Sequence, residues 1–159
     1  MHGDTVAARQ AATRGLTWYR SRPAEERGTF EERLVAARLL QMLGAYADAE
    51  ALVRRLLAED SANVDVRGEL AGVAAARGDT TLADTLDRWL AAQPAARVGW
   101  SASVYRARAA ALLGRRDDAV ARLVEARDEG AWPLWIHLDP AFVTLRSRRD
   151  FAALTTPRD

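Results

Sequence analysis

An all-α fold of stacked helical hairpins is predicted by three observations. Four glycines, Gly3, Gly44, Gly78 and Gly114, are each followed five residues later by alanine: Ala8, Ala49, Ala83 and Ala119. The step from Gly44 to Gly78 is 34 residues and the next, to Gly114, is 36. Between these marks apolar residues recur at helical spacing, and no alternating segment with turn signals reads as a strand. Periods of this length belong to repeat arrays, in which each unit buries its apolar face on the next. The expected architecture is an α-α superhelix: about three hairpins, an N-terminal helix and short C-terminal capping helices in one domain spanning residues 1–159.

Each element has its own signal. Residues 4–20 form a helix that looks like the second half of a hairpin without its mate, because GDTVAA at 3–8 parallels GDTTLA at 78–83. It carries Val6, Leu16, Trp18 and Tyr19, more apolar surface than a terminal cap exposes. That favours a piece of a longer repeat protein over a lone capping helix, and it predicts self-association through this edge. Ser21 to Gly28, with Pro23, is an insertion. The first repeat, 30–63, pairs 30–43 (Ala36, Leu39, Leu40, Leu43) with 46–58 (Ala49, Leu52, Val53, Leu56, Leu57) across Gly44. The second, 64–97, pairs 64–77 with 80–93. Asn63 serves as N-cap, Gly78 as the stop, and Leu82, Leu86 and Leu90 as the stripe, with Pro94 ending the unit. The third, 100–131, pairs 100–113 (Tyr105, Ala110, Leu113) with 116–129 (Ala119, Leu123, Ala126), ended by Gly130 and Pro133. Residues 132–155 form the cap: Asp139 as N-cap and Pro140 at the first helical position start a short helix, and Phe142, Leu145, Phe151 and Leu154 cover the end of the stack.

Composition removes several classes of function. The 23 basic residues, all arginine, nearly cancel 22 acidic ones, leaving a net charge of +1. A nucleic-acid binder would carry a clear basic excess, so that partner is not expected. Without cysteine there is no thiolate chemistry and no sulfur-ligated metal, and without lysine no Schiff base or P-loop. His2 and His137 are the only histidines. No metal, cofactor, membrane contact or catalytic activity is expected, and a cytoplasmic location is the default.

The spacing and the residues resemble the tetratricopeptide repeat family. In 30–63 the family's small helix-A residue falls on Ala37, its turn glycine on Gly44, its following aromatic on Tyr46 and its helix-B alanine on Ala49. In 64–97 the matching positions are Ala71, Gly78, Ala83, Leu90 and Pro94, and in 100–131 they are Ala107, Gly114, Ala119 and Ala126. Arg33, Arg67 and Ser103 stand where the family has a large aromatic, and Asp87 stands at a core position. The segment from Leu112 to Leu154 is similar to the closing unit of bacterial arrays of this kind, through Leu138, Asp139, Pro140, Phe142, Leu145, Arg146 and Phe151. Such tails close multidomain serine/threonine kinases, adenylate cyclases and winged-helix regulators.

What the resemblance implies is a TPR-like solenoid whose first helices line a groove for a peptide or partner domain. That face carries Glu31, Leu34, Arg38, Gln41 and Met42, then Asp65, Gly68, Gly72 and Ala75, then Ser101, Val104, Arg108 and Ala111. Small residues in the middle, flanked by Arg38 and Arg108, suggest a ligand bearing acidic residues. The expected function is therefore a protein-interaction module, alternatively a regulatory or sensory C-terminal region acting within a signalling protein. Other clusters read as structure: His137 as a turn histidine packed on tryptophan, Trp132 and Trp135 as buried under the terminal helices, and Arg115–Asp118 and Arg146, Arg148 and Arg149 as solvated charges.

Overall fold

The structure is a computed structural model that describes residues 3–23 and 28–156; His2 and the centre of the Ser21–Gly28 insertion lie outside the described residues. All described elements are helical: α1 (Gly3–Ser21), α2 (Phe30–Met42), α3 (Tyr46–Glu59), α4 (Val64–Ala76), α5 (Thr80–Ala91), α6 (Ala95–Val98), α7 (Ser101–Leu112), α8 (Arg116–Asp128) and α9 (Pro133–Leu138), then a 3-10 helix (Pro140–Leu145) and α10 (Arg149–Thr155). The one-turn α6 after Pro94 was not predicted.

The turns follow from glycine. Gly44 and Gly78 have φ of +79° and Gly114 of +74°, the left-handed conformation that a side chain resists. At each, the glycine N–H returns to the carbonyl three residues back, as in Gly44 to Gln41 at 3.0 Å. The next N–H reaches one further back, as in Ala45 to Leu40 at 2.9 Å, which satisfies carbonyls the helix end leaves free. Helix starts are capped as well. Asn63 Oδ1 accepts from the Val66 N–H at 3.1 Å and Asp79 Oδ1 from Leu82 at 3.0 Å. Thr29 and Glu32 form a reciprocal capping box that opens α2.

Adjacent helices pack: α1 on α2, α2 on α3, α3 on α4, α4 on α5 and α7 on α8. First helices also meet one another, α4 broadly on α7 and α2 more lightly on α4. Alanine permits this closeness. Ala37, Ala71 and Ala107 on the first helices, and Ala49, Ala83 and Ala119 on the second, are fully or almost fully buried. Ala8, the fourth member of the pattern, is only half-buried. The core is relayed along the chain in three clusters: Leu16 with Leu40, Ala49 and Val73; a central group from Leu34 to Ala109; and a terminal group from Ala107 to Phe151.

At the C-terminal end Phe142, Leu145 and Phe151 are buried against α7 and α8, with Leu154 packed beside them, as the sequence predicted. Asp139 Oδ1 caps the 3-10 helix by accepting from the Ala141 N–H at 2.9 Å. The tryptophans require a correction. Trp132 and Trp135 are 61% and 63% exposed, because a helix as short as α9 buries one stripe and Ile136 occupies it. His137 is likewise an exposed residue of α9, not a packed turn histidine. Nor are all the arginines merely solvated. Arg115 pairs with Asp84 of α5, and Arg148 joins Asp117 of α8 to Asp150, each at 2.7 Å.

Arg33, Arg67 and Asp87, three of the positions that depart from the tetratricopeptide pattern, have local explanations. Arg33 makes a two-pronged bond to Glu59 across the first hairpin, at 2.5 and 2.7 Å. The Arg67 guanidinium lies 4.2 Å over the Trp89 ring, and Asp87 is held by Arg106 at 2.9 Å.

Candidate functional site

The face formed by α2, α4 and α7 is built around a carboxylate that the sequence reading passed over. Glu69 lies on the turn of α4 that faces both flanking first helices, and it has no exposed surface. Its Oε1 receives Arg38 Nε at 2.7 Å and Arg108 Nη1 at 3.1 Å, and its Oε2 receives Gln41 Nε2 at 2.7 Å. Burial alone would raise the Glu69 pKa. The positive charges of Arg108 and Arg38, with hydrogen bonds from Arg38 and Gln41, outweigh burial and hold it below the ordinary value of 4.5.

Tyr105 extends this network. Its hydroxyl accepts from Arg38 Nη2 at 2.6 Å and donates to Asp65 Oδ1 at 3.0 Å. Burial and the nearby Glu69 charge raise the phenol pKa, so the hydroxyl stays a donor. The ring lies flat on α4 where Gly68 has no side chain: a Cβ there would stand 2.1 Å from Tyr105 Cγ. Arg108 completes the set, with Nε 3.2 Å from Asp139 Oδ2 and its guanidinium 5.7 Å from the Tyr105 ring centre.

The predicted face residues thus divide. Arg38, Gln41, Asp65 and Arg108 are brought together in one network. Leu34, Gly68 and Gly72 are buried beneath it, and Ala75 and Ala111 are buried too. Ser101 and Val104 are half-buried, while Glu31 and Met42 are exposed at the margins. The small residues do not leave an open floor, because Tyr105 fills the space over Gly68 and Gln41 the space over Gly72. The one hint of Glu69 in the sequence was an acidic residue inside the otherwise small and apolar run GELAGVAAA.

Elsewhere two crevices open between successive hairpins. One, of about 120 Å³, is lined by Asp84, Asp87, Asp118, Arg106, Arg115 and Arg122 among others; the second, of about 270 Å³, lies around Glu50, Arg77 and Leu82. Most of these charges pair with each other, as in Arg77 with Glu50 and Arg106 with Asp87. Guanidinium groups keep their protons at any working pH, so the arginines of these crevices offer charge rather than proton transfer. The His137 ring has no hydrogen-bond or ion-pair partner among the described residues. Compared with known proteins, the chain matches no family model, no curated protein and no solved structure.

Proposed function

We propose that the chain is a tetratricopeptide-like solenoid serving as a bacterial, cytoplasmic protein-interaction module, which holds a peptide or partner domain against the face of α2, α4 and α7. The observation that carries this reading is the packing of α4 on α7 and, more lightly, of α2 on α4, which supports a surface shared by the three first helices. Glu69 with its partners fixes the spacing of the helices, so the surface exists before a ligand arrives. The side chain of Arg38 is 40% exposed and that of Arg108 18%, so the readable positive charge of the face is Arg38. An acidic ligand would compete with Glu69 for it.

A second reading has its own support. The terminal segment packs as a closing unit, with Phe142, Leu145 and Phe151 buried, which suits the C-terminal regulatory region of a multidomain signalling protein. In that case the same face takes a segment of its own protein.

Peptides selected from a displayed library against the immobilised chain test the surface. Met42→Glu/Ser101→Arg alters its margin without touching the Glu69 network. A loss of at least about tenfold in affinity is expected, equivalent to about 1.4 kcal/mol; undiminished binding of every selected peptide would contradict the proposal.

A further inference from the structure

Among the described residues, five of the twelve large hydrophobic side chains left exposed lie within residues 132–143: Trp132, Leu134, Trp135, Leu138 and Val143. The other seven are scattered over the rest of the chain. Trp132 is the N-cap of α9, and at 3.6 residues per turn positions 135 and 138 follow one another along the helix with 134 beside them, while Ile136 turns inward. Both ends of the patch are tied down. Arg127 Nη1 donates to the Ala131 carbonyl at 3.0 Å and Arg146 Nη2 to the His137 carbonyl at 3.1 Å, tying both ends of α9 to the body.

Charges border this patch asymmetrically. Exposed Asp128 and Glu129 lead into its N-terminal end and outnumber the half-buried Arg127, whose guanidinium is turned to the Ala131 carbonyl. The bond from Arg146 to His137 sets the 146–149 segment, with exposed Arg149, beside its C-terminal end. Asp128, Glu129 and Arg149 make no ion pair among the described residues. A border of one sign would suit a partner of the opposite sign. Unpaired acid at one end and unpaired base at the other is instead matched by a second copy related by a two-fold axis that runs across the patch, because that axis sets each end against the opposite end of its twin.

The area agrees. With roughly 150 Å² offered by each tryptophan and about half that by each aliphatic chain, the patch amounts to roughly 500 Å². That is near the upper end of what monomers leave bare, about 300–600 Å². Two such patches face to face remove roughly 1,000 Å², and with a polar border they approach the about 1,200–2,000 Å² of specific pairs.

We propose that the α9 patch is a two-fold contact through which two copies of this chain dimerise. This contact is independent of the α2–α4–α7 face, so peptide binding and dimerisation can fail separately. It also moves self-association from the N-terminal edge, where α1 exposes Trp18, to the opposite end of the chain.

Sedimentation velocity of the full 159-residue chain from about 1 to 200 µM tests the contact. The expected result is a reversible dimer whose dissociation constant rises at least about 30-fold in Trp132→Ser/Trp135→Ser and is unchanged in Trp18→Ser. Glu129→Arg and Arg149→Glu should each weaken the dimer, and together restore it. Circular dichroism of every variant should match the parent, because all five positions are on the surface. A parent that stays monomeric throughout, a dimer insensitive to the tryptophan pair, or one lost in Trp18→Ser would overturn the proposal.

Discussion

At the scale of single residues, Gly68 and Tyr105 form a matched pair. The tyrosine ring occupies the volume that any side chain at position 68 would need, and its hydroxyl links Arg38 to Asp65 only while the ring stays there. Gly68→Ala should therefore destabilise the chain by about 2–3 kcal/mol, even though alanine is the better helix former by about 1 kcal/mol. Combining it with Tyr105→Ala should be strongly non-additive, the double variant being little worse than Tyr105→Ala alone. Urea unfolding of the three variants checks this; additive losses would mean that the ring does not rest on Gly68. Glycine at 68 and tyrosine at 105 are separated by 37 residues, so neither announces the other in the sequence. The turn glycines announce themselves because their constraint is local.

At the scale of elements, Glu69 joins three helices that share few other polar contacts. A buried carboxylate facing two arginines is costly to remove from one side only, so Glu69→Gln should cost about 3 kcal/mol at pH 7 by leaving Arg38 without its ion-pair partner and Arg108 with Asp139 alone. The sign of the pH dependence follows from the lowered pKa. The stabilisation is fully present above the ordinary carboxylate value of 4.5 and is lost as pH falls through the depressed value of the folded state. The stability gap between parent and Glu69→Gln, followed by thermal unfolding from pH 7 downward, should thus stay constant to about pH 4.5 and narrow below it. A gap that widened on acidification would contradict the ion-pair account.

The same helices show what a sequence can and cannot convey. Gly44, Gly78, Gly114, Asn63 and Asp139 act within a few residues of themselves, and the hairpin boundaries they mark agree with the structure to within two or three residues. Arg38 and Arg108 were recognisable as flanking one face, but their common partner was not. Its contacts span 31 and 39 residues and depend on how α4 sits between α2 and α7. The exposure of Trp132 and Trp135 was equally hidden, because hydrophobicity favours burial wherever one more helix could cover it.

At the scale of the whole molecule, the account rests on hairpins that touch mainly their neighbours. The core passes from α1 to the C-terminal helices in three successive clusters, and the ion pairs between hairpins, such as Glu50 with Arg77 and Asp84 with Arg115, join consecutive units. The absence of cysteine makes a direct distance measurement simple. Nitroxide labels at Ala51→Cys on α3 and Ala121→Cys on α8, both exposed positions, would sit on the first and third hairpins with the second between them. With helices packed about 8–10 Å apart, dipolar EPR should give a single population beyond about 20 Å. A dominant distance under about 12 Å would place the two hairpins in direct contact and contradict the stacked arrangement.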